Sequence, residues 1–252
     1  MKLLRRVGIL ALAALSSCSA GNHAPPFANV PYEPFSRSAA VAIALREWRL
    51  WGSGYNDNPH YVQRAVAMPE REQGLWQRVG EYWWEGLNAG TPDSRWTGKH
   101  DARGKVFPVA VNGEYAWSAA FISYVMRIAG AGRCFPYSAN HAHYINDAAR
   151  PYRPGKFLIA ENPATYAPRL GDLVCFARGW AWRLRFKNLP TRGYFPAHCD
   201  IAVAWQPGVL SVIGGNVDDS VLMTRLPLTA HGLLIDHPEH VLVVLRVLYA
   251  QN

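Results

Sequence analysis

A stretch of helical period followed by runs of strand period does most to constrain how this chain can fold. Tyr115 to Met126 (YAWSAAFISYVM) reads as a helix stopped by Gly130 and Gly132, and its first half carries small residues that let another element approach closely. Beyond it, Pro168-Arg169-Leu170-Gly171-Asp172 is a turn that launches Leu173-Val174-Cys175-Phe176 as a buried strand. His198 to Trp205 alternates, with His198, Asp200, Ala202 and Ala204 on one face and Cys199, Ile201, Val203 and Trp205 on the other. Val209 to Ile213 is a further strand running into Gly214-Gly215-Asn216, and Val241 to Leu248 is the last. A helix followed by antiparallel strands predicts an α+β fold.

The remaining helices precede or interrupt this pattern. Ser36 or Ser38 caps a helix running to about Trp51, closed by Gly52-Ser53-Gly54. Glu70 to Leu87 reads as a second helix, with Trp76, Val79, Trp83 and Leu87 at core spacing. Ser138 is an N-cap for a helix through His141, Tyr144 and Ala148. With 50% hydrophobic and 17% charged residues in 252, the composition excludes a disordered chain, a coiled coil and a collagen-like repeat.

The N-terminus carries part of the net charge of +8. Met1 to Arg6 is basic and Val7 to Leu15 is apolar but too short to span a bilayer, which predicts a signal peptide over 1–17. Leu15-Ser16-Ser17-Cys18 resembles a bacterial lipobox, which implies lipidation of Cys18, and Ser19 then favours outer-membrane sorting. Loss of Lys2, Arg5 and Arg6 would leave about +5. Residues 18–35, with Pro25, Pro26, Pro31 and Pro34, read as an extended tether. Residues 36–100 form a helical segment and 101–252 the α+β domain.

The order of motifs resembles the papain-like NlpC/P60 and CHAP superfamily of cell-wall amidases and endopeptidases. The matching stretches are Trp117 to Phe121, Ser138 to Tyr144, Gly171 to Val174, His198 to Val203 and Gly214 to Asn216. More narrowly, the chain resembles the DUF2272 family. The resemblance implies a papain-like domain in which the nucleophile helix packs on the sheet. It also implies a nucleophile at position 118, a base at His198, and Asn216 as the residue that orients the base. Where the superfamily has Cys, this chain has Ser118, which must lose its proton to a base during attack rather than ionise beforehand. Asp200, on the His198 face, is an alternative orienter that would stabilise an imidazolium better.

Around these residues, Trp117, His141, Trp180 and Arg183 are candidates to line a cleft. Residues 178–195 interleave Arg178, Arg183, Arg185, Lys187 and Arg192 with Trp180, Trp182, Phe186, Tyr194 and Phe195, and contain no acid. In an exported protein this favours peptidoglycan or another anionic envelope polymer over nucleic acid. Cys134, Cys175 and Cys199 are expected to be buried free thiols, with a disulfide left open. His141 and His143 point about 200° apart on a helix and suit one metal poorly, so no metal or cofactor is expected. Three functions remain: a peptidoglycan hydrolase with a Ser-His-Asn site, an inactive binding or scaffolding lipoprotein, and an envelope esterase. Oligomeric state is not legible.

Overall fold

The computed structural model describes residues 34–56, 69–87, 90–235 and 240–248. The signal peptide, Cys18 and the tether up to residue 33 lie outside the described residues. Four α-helices are described: α1 (Arg37–Leu50), α2 (Leu75–Gly86), α3 (Ser118–Ile128) and α4 (His141–Ala149). The strands are β1 (Leu158–Glu161), β2 (Leu173–Ala177), β3 (Ala197–Gln206), β4 (Val209–Val217), β5 (Ser220–Pro227) and β6 (Val241–Val247). They form one six-stranded sheet in the order β1-β6-β2-β3-β4-β5 with every neighbouring pair antiparallel. The architecture is α+β. No described helix is long and apolar enough to cross a membrane.

Local chemistry sets most boundaries. Ser36 caps α1, its side chain accepting the Ala39 amide at 3.0 Å. The second helix is split: Pro69–Arg71 makes a 3-10 turn, and α2 begins only after Gly74, which takes φ 93°. α4 is capped by Asn140, not by Ser138; Asn140 Oδ1 accepts the His143 amide at 3.1 Å. The Ser138 hydroxyl instead accepts the Asn140 amide. Strands β1 and β5 are additions to the sequence reading.

The helices share one apolar core with one face of the sheet, through Ala44, Trp83, Trp117, Phe121, Ile145, Ile201 and Ile213 among others. The opposite face carries a smaller cluster that includes Val174, Phe176, Ala202, Val212 and Leu226. Cys199, Ile201 and Val203 share the helix-side face as the alternation predicts, but beyond the β3–β4 register shift between Ala202 and Ala204 Trp205 is exposed.

Two features tie β2 to its neighbours. Cys175 and Cys199 lie opposite each other on β2 and β3 and form a disulfide, while Cys134 is exposed and free. The expectation of three buried free thiols is therefore corrected. The partners are 24 residues apart, and their pairing follows from strand register rather than from spacing. The Gly171-Asp172 turn is a structural hub. Asp172 accepts Arg37 Nη1 at 2.6 Å and the Val247 amide at 3.0 Å on one oxygen, and Tyr166 Oη and the Arg169 amide, both at 2.9 Å, on the other.

Candidate active site

α3 opens on Ser118 because Trp117 leaves helical geometry just before it (φ −105°, ψ 8°). The first intrahelical bond runs from the Phe121 amide to the Trp117 carbonyl at 2.9 Å. The amides of the preceding turn therefore have no acceptor within the helix. The turn is pressed against β4 at Gly215, where a Cβ would lie 2.6 Å from Phe121 Cβ and 2.7 Å from Trp117 Cζ3. No larger residue fits there, so Gly215 is what lets the start of α3 reach the sheet.

The half-buried Ser118 hydroxyl is hydrogen-bonded to His141 Nε2 at 2.9 Å. It makes no such bond to His198. His141 is the first residue of α4, and α4 is pinned to α3 one turn further on. There the Tyr144 hydroxyl meets Ser123 Oγ at 2.6 Å and lies 2.6 Å from the Ala119 carbonyl and 2.7 Å from the Ser138 carbonyl, its single proton going to one of these acceptors. The His141–Tyr144 spacing puts both rings on one face of α4, where they meet edge to face. Tyr144 and Ser123 are thus positioning residues that sequence reasoning missed.

His198 and Asp200 form the second half of the site. His198 Nε2 and Asp200 Oδ1 are 2.7 Å apart and both side chains are buried. The approach is off the hydrogen-bonding direction, and neither atom has a hydrogen-bond partner. Gly214 makes the room: a Cβ there would lie 1.9 Å from Asp200 Oδ1 and 2.8 Å from His198 Nε2. The His141 and His198 rings meet at 5.5 Å between centroids, interplanar angle 61°. His141 Nδ1 is also buried without a partner. Burial first, then the neighbouring His198 and Arg178 charges, hold the His141 imidazole well below the ordinary histidine range, so it stays neutral.

The other expected site residues separate from this group. Asn216 makes no hydrogen bond to His198 and sits in the left-handed region (φ 59°), where the β4–β5 register shifts; the contact that His198 does have is with Asp200. Trp117 is core rather than cleft, stacked on Trp51 and donating Nε1–H to Glu70. Glu70 also accepts Asn112 Nδ2–H. Burial, with Asp219 nearby, pushes its carboxyl up to about 7 against those two hydrogen bonds. Trp180 is exposed and Arg183 lies over the Trp182 ring; neither is bonded to the Ser118 group. Among the described residues, no three His, Cys, Asp or Glu side chains gather as a metal site.

Compared with protein families, residues 70–248 match a model described as an uncharacterized protein conserved in bacteria (DUF2272). The chain belongs to the DUF2272 family. No curated protein and no solved structure matches it. In this DUF2272 chain the matched region contains every element of the site, from Glu70 under Trp117 to Asp200 and Gly214. A half-exposed hydroxyl at a helix start, bonded to a neutral imidazole with a second imidazole and a carboxylate behind it, is equipped for nucleophilic acyl transfer.

Proposed function

We propose that this DUF2272 protein is an envelope lipoprotein that hydrolyses amide bonds in peptidoglycan stem peptides, on a papain-like domain of the NlpC/P60–CHAP type. The observation that carries the reading is the 2.9 Å contact between Ser118 Oγ and His141 Nε2 at the start of α3. The Ser118 hydroxyl attacks the scissile carbonyl carbon while its proton passes to His141 Nε2. The first-turn amides of α3 receive the oxyanion, and the leaving amine takes the proton back. Water then cleaves the acyl-enzyme by the same route. Asp200 contacts His198, and His198 in turn meets the His141 ring edge to face, so the carboxylate acts on the base only through that second imidazole. Support for export comes from the basic-then-apolar N-terminus with its lipobox-like Leu-Ser-Ser-Cys, and from the Cys175–Cys199 disulfide, since disulfides persist in oxidising compartments.

A binding or scaffolding role is the second reading, favoured by His141 Nδ1, which has no group to orient it. The two are separated by incubating the detergent-purified chain with sacculi and identifying released fragments by mass spectrometry. The hydrolase reading expects release that Ser118→Ala reduces at least about a thousandfold. Release that survives Ser118→Ala, or that appears only in Ser118→Cys, overturns it. Cleavage of acyl esters but not of sacculi would make the protein an esterase.

A further inference from the structure

α4 has a second working face. His143, Asn146 and Arg150 recur at helical spacing on the side turned away from Ser118, and they face the residues 191–194 of the aromatic-rich loop. Asn146, almost fully buried, staples the two together. Its Nδ2 donates to Thr191 Oγ1 and to the Gly193 carbonyl, both at 3.1 Å, and its Oδ1 accepts the Thr191 amide at 2.7 Å. The result is a walled cleft of about 210 Å³.

Its lining is one-sided in charge. Arg150 stands on the helix wall and Arg192 on the loop wall, His143 and Asn140 lie between them, and no carboxylate lines the cleft. Neither guanidinium has a side-chain hydrogen bond or an ion pair with any described residue. The nearest acid on α4, Asp147, is taken by Arg153 at 3.2 Å. Both guanidiniums are exposed and unmatched by an acid, so an anion between the walls would meet a donor fork from each side. The volume lies below the roughly 300–1,000 Å³ of sites that enclose a drug-sized ligand, which matches the end of a ligand rather than its whole length. The exposed Tyr194 ring gives that end an apolar side.

We infer that this cleft binds the terminal carboxylate of a short peptide, gripped between Arg150 and Arg192 with Tyr194 against its last side chain. The planar fork of arginine suits a carboxylate held by both oxygens. Only the peptide nature of the ligand rests on the hydrolase reading; the anion site stands on its own residues. The helix that bears the cleft also bears His141, so an occupant is held by the element that aligns the nucleophile.

The test is a titration of the full-length chain in detergent, carrying Ser118→Ala so that nothing turns over, followed by calorimetry or amide NMR. The probes are N-acetyl-Lys-D-Ala-D-Ala, the same peptide with a C-terminal amide, and inorganic phosphate, at matched ionic strength. The acid form should bind at least about tenfold tighter than the amide, and Arg150→Ala and Arg192→Ala should each weaken it by about tenfold. Arg185→Ala, whose guanidinium bonds its own loop carbonyls, should change nothing. Equal binding of acid and amide, no binding of either, or tight arginine-dependent binding of phosphate alone overturns the inference. Arginine-dependent peptide binding by a protein that releases nothing from sacculi would keep this site and remove the hydrolase reading. Release from sacculi unaffected by both arginine variants, with no peptide binding, would do the reverse.

Discussion

Two buried polar clusters lie in the same core and are built on opposite principles. Under α1, Glu47 is fully buried and every oxygen is used. It accepts Arg78 Nε at 2.7 Å, Arg46 Nη2 at 2.7 Å and Tyr82 Oη at 2.8 Å, while Trp51 Nε1 donates to the Tyr82 oxygen at 2.9 Å. Burial pushes the Glu47 carboxyl up, but the hydrogen bonds from Arg78, Arg46 and Tyr82 outweigh it and hold the group below the usual range. In the candidate site, by contrast, His141 Nδ1 is buried without a hydrogen-bond partner, and His198 Nε2 and Asp200 Oδ1 meet only each other, off the hydrogen-bonding direction. Nature normally leaves few such atoms, because each costs on the order of 1–3 kcal/mol. A complete network, extended to α3 by Arg78 Nη2 donating to Tyr124 Oη at 2.6 Å, locks three helices together and has nothing left to offer a ligand. An incomplete one lowers stability and keeps donors and acceptors available for chemistry.

The contrast breaks most readily at Glu47. Glu47→Ala removes the buried carboxylate shared by Arg78, Arg46 and Tyr82, leaving the half-buried Arg78 with Glu81 and Tyr124, and should cost about 3 kcal/mol in urea unfolding, with little change in activity per folded molecule. A loss under about 1 kcal/mol would mean that the completed network contributes no more than the incomplete one. Gly214→Ala tests the other side. Its Cβ must displace the Asp200 carboxylate, costing about 1–3 kcal/mol by overpacking, while far-ultraviolet dichroism stays native and peptide release is lost. Full activity in Gly214→Ala would remove the His198–Asp200 pair from the mechanism.

Smaller effects appear as pH dependences of opposite sign. The folded pKa of His141 is depressed, so the unfolded chain binds more protons just below the ordinary histidine value. Its contribution to stability should fall as pH drops from about 6.5, while the neutral ring keeps catalysis running below that pH. An acid limb of the rate profile at or above 6.5 would assign the base elsewhere, with His198→Gln and His141→Gln telling the two rings apart. Glu70 runs the other way. Its folded value is raised to about 7, so its contribution is fully present below about 4.5 and lost as pH rises through 7. The Tm of Glu70→Gln relative to the unaltered chain should therefore climb across that window, and a flat difference would show that Glu70 ionises as freely when folded as when unfolded.

Legibility in the sequence tracked how local the determining physics is. α1 was readable from Ser36 and the glycines after Trp51, and β2, β3, β4 and β6 from their apolar or alternating runs. β1 was missed because it has four residues, three of them half-buried, and lies at the sheet edge. β5 was missed because Ser220, Thr224 and Arg225 blur its alternation and the turn before it uses two aspartates at positive φ. In the site, the helix start at Ser118 and the shared side of His198 and Asp200 followed from period alone. The Ser118–His141 bond did not: it depends on Tyr144 docking α4 against α3, a contact between segments that no spacing encodes. The Cys175–Cys199 bond was hidden for the same reason, since the 178–195 insertion conceals which strand residues face each other.

Gly214 and Gly215 carry a consequence for descent within the family. Gly214 admits the Asp200 carboxylate and Gly215 admits the start of α3, so the geometry of the candidate site depends on two absent methyl groups. A relative with alanine at the second position would lose the approach of helix to sheet, and with it the architecture. A relative with alanine at the first would keep the architecture and lose the pocket for Asp200. Fold and site can therefore part company at a single codon, and under the proposed function the residue aligned with Gly214 is a physical criterion for which relatives keep the His198–Asp200 arrangement and which keep only the shape.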